Sequence, residues 1–310
     1  MKKKQQRRPP AMERTVRRRT AGRMPRRTHR RTRALSLAAM AGAGILCFED
    51  NALTVSAYIY RSEKVDPSLA GYRILQISDL HNKSFGPGNQ RLLTRISDCE
   101  PDCIVITGDL VDRRRTRLQT AFDFVDAAVK IAPVYYVTGN HEWLMSTAKY
   151  HRLLSGLAAR GVVFLEDRMV SLRDHLCLAG VSARSIFAAK DPDLAARGVP
   201  VPADGMLEKA PRDALKVLLA HEPQLLPRYA RAGADIVFCG HAHGGQVRIP
   251  GTGIGLFAPE QGILPAYSAG AYQHGTTTMY VSRGLGNSLF PWRIFNRPEI
   301  VVTELQPEHD

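Results

Sequence analysis

Five times along this chain a short apolar run stops at side chains able to bind a metal ion. The runs are residues 72–78 (YRILQIS), 103–107 (CIVIT), 134–138 (VYYVT), 214–219 (ALKVLL) and 235–239 (DIVFC). After them come Asp79-Leu80-His81, Gly108-Asp109, Gly139-Asn140-His141-Glu142, His221 and Gly240-His241-Ala242-His243. Short runs rich in β-branched and aromatic residues read as strands, and helix-like stretches at 90–99, 118–129 and 224–232 lie between them. Such alternation implies an α/β fold. Ligands in these folds bind outside the carboxyl ends of strands, so groups dispersed over half the chain are expected to meet in one cleft. Further strand-like pieces at 53–60, 169–172, 176–180, 246–249, 278–282 and 300–305 call for two packed sheets with helices outside. Residues 183–212 break the rhythm with Pro, Gly and mixed charge and are expected to form an irregular insertion near the mouth of the cleft.

Singly, each of these residues has an ordinary explanation: a His at a strand end is usually a satisfied surface or core group, and an Asp after Gly is usually a turn residue. The grouping argues otherwise. Of ten histidines, His81, His141, His221, His241 and His243 occupy strand ends, while His29, His151, His175, His274 and His309 do not and take no role. Carboxylate, imidazole and one amide oxygen, with no thiolate, suit Mn, Fe, Zn, Co or Ni. Asp79, His81, Asp109, Asn140, His221, His241 and His243 are too many donors for one ion, and fit two ions that share a carboxylate. The cysteines, Cys47, Cys99, Cys103, Cys177 and Cys239, form no C-x-x-C pair and read as core thiols, with Cys99 and Cys103 close enough to be examined for a disulfide.

The formal charge of +14 would suggest nucleic acid if it were spread over the molecule. It is not. Residues 1–33 hold 15 Lys and Arg against Glu13, and the remaining residues carry 28 of each sign. A nucleic-acid-binding reading therefore rests on the tail alone, and the neutral body lacks the electrostatics that a nuclease favours. The tail, with few apolar side chains, is expected to be disordered. Residues 34–48 (ALSLAAMAGAGILCF) carry no charge. As a helix they are short for a bilayer core of about 30 Å and fit a signal-peptide core, with A-x-A patterns at 39–41 and 41–43. Arg30-Arg31 offers only the start of a twin-arginine pattern, because Thr32 and Arg33 follow. The bland alternative is a buried Ala/Gly helix beside a disordered arm. Under the targeting reading the basic flank stays cytoplasmic and contacts anionic lipid, and the domain beginning at residue 51 lies on the extracytoplasmic side.

The ordered series DLH, GDLVD, GNHE, AHEP and GHAH, within residues 72–305, resembles the calcineurin-like metallophosphoesterase superfamily. The extended forms GHAHGGQVRIP, VSRGLG and FNRPEI are similar to its bacterial branch with an N-terminal membrane segment or export signal. The resemblance implies a four-layer αββα sandwich. It also implies one metal held by Asp79, His81 and His243, a second by Asn140, His221 and His241, and Asp109 bridging. Two divalent cations would then activate a bridging water for attack on a phosphoester, with no covalent nucleophile. His141 would protonate the leaving group or stabilise transition-state charge, Glu142 would orient His141 or serve as a turn carboxylate, and Arg283 would contact phosphate or be structural. Relatives commonly carry an Asp where this chain reads Val181-Ser182-Ala183-Arg184, and many differ at Glu222; the first departure bears on substrate shape. The resemblance points to a phosphodiesterase or phosphatase acting on a phospholipid-related or cell-envelope substrate. The alternatives are a nuclease of the same superfamily and a non-catalytic interaction module, and the latter predicts substituted ligand positions, of which there are none.

Overall fold

The computed structural model describes residues 26–190, 203, 205–287 and 290–308. One six-stranded sheet has the order β1 (Thr54–Ser62), β14 (Glu299–Pro307), β2 (Arg73–Ile77), β3 (Cys103–Thr107), β4 (Val134–Val137) and β5 (Val163–Phe164). The other has the order β12 (Gly270–His274), β13 (Thr277–Val281), β9 (Ile236–Cys239), β8 (Leu215–Leu219), β7 (Leu176–Gly180) and β6 (Arg168–Arg173). Each contains four adjacent parallel strands, β2 to β5 in the first and β13, β9, β8 and β7 in the second. A two-stranded ribbon, β10 (Phe257–Ala258) with β11 (Gly262–Ile263), stands apart.

Burial on both faces explains why the central strands read as solidly apolar. Ile74, Cys103, Val105, Val217, Leu219, Ile236 and Phe238 share one core drawn from both sheets. Their neighbours Leu75, Ile104 and Ile106 pack instead with α2 (Gln90–Asp98), α3 (Leu118–Ala128) and α5 (Thr147–Ala158), through Leu92, Phe124 and Leu157. Beyond the second sheet, Leu218, Val237 and Met279 pack with Ile186 of α6 (Ala183–Lys190) and Tyr229 of α7 (Leu226–Arg231). The layers are thus helix, sheet, sheet, helix, the αββα sandwich expected.

Four expectations are corrected in detail. Residues 246–249 form no strand; a 3₁₀ turn at His243–Gly245 with positive φ at Gly244, Gly245 and Gln246 redirects the chain, leaving only isolated bridges from Val247 to Ile294 and Arg248 to Gly255. Residues 183–212 are not wholly irregular, since they open with α6 and bury Leu207, while 191–202 and 204 lie outside the described residues. Not every thiol is in the core: all five are free, Cys47 is exposed and Cys99 is partly exposed.

The fourth concerns the tail. Helix α1 (Arg26–Asn51) begins eight residues before the apolar segment and passes through it; residues 1–25, the rest of the basic stretch, lie outside the described residues. Its sequence after Pro25 contains no proline, and Arg and Ala favour helix. The boundary between two compact units falls within it, at Gly44 and Ile45. Among the described residues, no helix is long and apolar enough to cross a membrane.

Candidate metal centre

Both parallel blocks deliver their carboxyl ends to one place. Asp79 and His81 follow β2, Asp109 follows β3, and Asn140 and His141 open the short helix α4 (Asn140–Trp143) after β4. From the second sheet, His221 follows β8, and His241 and His243 follow β9. Gln76 fastens the sheets just beneath, its side-chain amide donating to Thr107 Oγ1 and to the Cys239 carbonyl, both at 2.8 Å. The loops above leave no room for side chains at two glycines. A Cβ at Gly240 would collide with Ser78 Oγ and Asp79 Oδ2, and one at Gly108, whose φ is +92°, would meet His221 Nδ1.

Asp79, His81, Asp109, His241 and His243 have φ of 50°, 47°, 52°, 67° and 48°. Left-handed backbone is uncommon outside glycine, and Asn, Asp and His tolerate it best. The same side chains that can ligate a cation are therefore those able to sit on these tight turns, at about 1 kcal/mol or more apiece.

The donor atoms converge closely. His81 Nε2 lies 3.2 Å from His243 Nε2, and His243 Nε2 lies 3.5 Å from Asp79 Oδ1. His221 Nε2 lies 3.0 Å from Asn140 Oδ1 and 3.2 Å from His241 Nδ1. Asp109 Oδ2 stands between the two groups, 3.6 Å from His81 Nε2 and 3.4 Å from His221 Nε2. Ligands at about 2.0–2.2 Å from a shared ion stand about 3–3.5 Å from one another, so this spacing fits two cations with Asp109 between them. Fixed tautomers favour the same fit. His221 Nδ1–H donates to the Thr107 carbonyl at 2.7 Å, leaving Nε2 to ligate. All seven residues anticipated as donors meet here.

Charges in the centre without cations follow from burial. It pushes His81 down to about 3 and holds His241 and His243 well below the usual imidazole range, so these three are neutral, the form that ligates metal. Burial, then the charge of Asp109, pushes Asp79 up to about 6. For Asp109 burial opposes ionisation, but His221, then His81, overcome it and hold the carboxyl well below its usual range.

The position of His141 was anticipated, and that of its partner was not. His141 is buried beside His81, with ring centroids 4.5 Å apart. Its Nδ1 accepts from Arg113 N–H at 3.3 Å and faces Asp112 Oδ2 at 3.8 Å. Glu142 is turned away, accepting backbone N–H groups of Asp109, Gly139 and Val111 at 2.9, 2.8 and 3.1 Å. Of the two roles open to it, Glu142 is therefore the turn carboxylate, and Asp112 is the acid beside His141. Arg283 is likewise structural, bonded to Glu299 at 3.0 Å and to Thr54 Oγ1 at 2.9 Å. A further cluster, Glu222, His241 and Glu260, already has a cation, because Lys190 of α6 pairs with both glutamates.

Two facing sheets that bring carboxylates and imidazoles to one edge, spaced to hold a pair of cations, define a metal-binding α/β protein of the metallophosphoesterase class. Residues 72–245 match the calcineurin-like phosphoesterase family, and the chain belongs to it. It is 30% identical over 255 residues to a transmembrane protein with metallophosphoesterase domain from Danio rerio, a match covering 77% of this chain and 54% of that protein. The chain thus spans about half the length of that relative. It is also 29% identical over 247 residues to phosphodiesterase YaeI of Escherichia coli (strain K12), covering 76% of this chain and 83% of that one. Among solved structures, a dimetal phosphatase from Danio rerio aligns with a TM-score of 0.43 and 12% identity, over 70% of this chain and 88% of that chain.

Proposed function

We propose that this metallophosphoesterase hydrolyses phosphoesters with two divalent cations, one held by Asp79, His81 and His243 and the other by Asn140, His221 and His241, with Asp109 shared. The observation that carries this reading is the position of Asp109 Oδ2, within 3.6 Å of a donor from each group. Bound there, two cations would bring the pKa of a water toward neutrality and offset phosphoryl charge. The chain supplies the rest. Asp109 is kept in place by His141 N–H, which donates to its Oδ1 at 2.8 Å, and by Glu142, which holds the Asp109 N–H. His141, with Nδ1 engaged by Arg113, carries its proton on Nε2, from where it can donate a hydrogen bond to the leaving oxygen and offset the charge that develops there.

The substrate proposed is a phosphodiester, phospholipid-related or of the cell envelope, met at a membrane surface on the extracytoplasmic side. Support comes from the basic stretch 1–33 followed by the uncharged segment 34–48 ahead of a catalytic domain at 51–310, and from the names of the two relatives. The test uses the full chain, stripped of metal and reloaded with manganese, on bis(4-nitrophenyl) phosphate beside Asp109→Asn. Metal-dependent turnover is expected, with two ions per chain. The substitution should cost more than the roughly 10–100-fold typical of a change behind the ligands. Folded protein that takes up no ions would overturn the proposal.

A further inference from the structure

Beside the metal centre opens a cleft of about 380 Å³ whose walls run from His81 and Asp112 to Arg114, Arg115 and Arg117. Four of the five residues at 113–117 are arginines, in a body whose charges balance as a whole. The backbone of this loop is fixed. Asp112 Oδ1 accepts from the N–H groups of Arg114 and Arg115 at 2.7 and 3.2 Å. The Asn82 side chain donates to the Arg115 carbonyl at 2.9 Å and accepts from Arg117 N–H at 3.3 Å. Only side chains are left exposed. Asp112, the nearest carboxylate, is shared between Arg114 Nε at 3.7 Å and His141 at 3.8 Å. Among the described residues, Arg115 and Arg117 have no carboxylate within ion-pairing distance.

Arg114, Arg115 and Arg117 line one cleft, and the planar donors of a guanidinium group match phosphate oxygens two at a time. The cleft also lies within the range of about 300–1,000 Å³ that small-ligand sites occupy, more than one phosphoryl group needs. We propose that Arg115 and Arg117, with Arg114, form a second anion subsite, which selects phosphoesters carrying another negatively charged group on the side away from the cations. This rests on the hydrolase reading for its direction, since the scissile phosphate takes the centre and the second anion takes the arginines. The second anion is a phosphate or carboxylate, borne by a soluble substrate or by an anionic lipid headgroup.

The manganese-loaded full chain is assayed on phenyl phosphate and on 1,4-phenylene bisphosphate, which differ by the second anion. Expected is a kcat/KM preference for the bisphosphate of about tenfold or more, one guanidinium–phosphate pair's worth. In Arg115→Gln/Arg117→Gln that preference collapses, chiefly through KM. Arg115→Lys/Arg117→Lys recovers part of it, and Arg231→Gln, on the exposed last turn of α7, keeps it. Calorimetric titration of the metal-free full chain with phenylene bisphosphate gives a readout independent of turnover. Phosphatidylglycerol vesicles, set against phosphatidylcholine vesicles, identify the source: competition that the double variant loses assigns the anion to a headgroup, and no competition assigns it to a soluble ester. A preference and a titration identical in wild type and double variant overturn the subsite and leave the hydrolase intact. Absence of hydrolysis of both esters and of bis(4-nitrophenyl) phosphate, together with bisphosphate binding that the double variant loses, overturns the hydrolase and leaves the subsite intact.

Discussion

Asp112 and Glu142 stand equally near the centre in sequence and act on different objects. Asp112 faces His141 across 3.8 Å, whereas Glu142 binds three backbone N–H groups around Asp109. Removing one should therefore affect how His141 meets the leaving group, and removing the other should affect the shape of the loop. His141→Ala is expected to lower kcat by about 10²–10⁴-fold while two ions remain bound, which kinetics and elemental analysis on the same sample would check. Asp112→Asn should lower kcat less and also leave metal content unchanged; loss of an ion in either variant would mean that these side chains hold metal. Glu142→Gln should instead reduce metal content, because one of the two oxygens that accept the backbone N–H groups of the Asp109 turn is replaced by a donor.

At the scale of elements, a buried arginine organises the loop between β13 and β14. Arg293 is 1% exposed, and its guanidinium donates to Asn287 Oδ1, to the carbonyls of Arg283 and Asn296, and to that of Gly286. Burial holds it down to about 10. The same loop closes over the Asp79 turn, where Leu285 N–H donates to the Ser78 carbonyl at 3.1 Å and Gly286 N–H to that of Asp79 at 2.6 Å. Arg293→Met strands several carbonyls at about 1–3 kcal/mol each, so denaturant unfolding should register a loss of at least that size. Lys83, which donates to the Asp50 carbonyl at the end of α1, gives a pH signature. Burial, then Arg293, holds its ammonium down to about 8 against an ordinary 10.5. Between these values the unfolded chain binds the proton better, so the penalty is full below pH 8 and stability rises with pH through the window. Lys83→Met should flatten that rise in a series of denaturant midpoints, and an unchanged slope would refute it.

Elements packed on both faces were the legible ones. Strands β3 and β7 fall at the residues expected, because continuous apolar runs record burial on two sides. The two-residue β5, the edge strand β12 and helix α5 gave no such signal; β12 is mostly exposed, and α5 buries only Leu153 and Leu157. The donor set was readable because each member is a polar residue stranded after an apolar run. Arg293 and Asp112 were not readable, since their roles arise from partners brought close only by the tertiary fold.

At the scale of the whole molecule, the centre belongs to neither sheet alone. His241 N–H of one donates to both carboxylate oxygens of Asp79 of the other, at 3.2 and 3.1 Å. Cations bound there would link the sheets, so stripping metal from the full chain should lower its melting temperature and restoring it should raise the temperature again. A ligand at a thousand times its dissociation constant adds about 4 kcal/mol, a shift that calorimetry resolves easily. Melting that ignores metal would argue that the cleft holds none. The separation of these partners along the chain has another consequence. Asp79 and His241 are 162 positions apart, so donors from both sheets cannot assemble until most of the polypeptide has folded. Affinity alone ranks divalent metals poorly in a site of nitrogen and oxygen donors, and the local supply decides between them. Ions held there as proposed would take their identity from the compartment in which the sheets close, and one polypeptide folded in two metal pools would carry two different sets of ions.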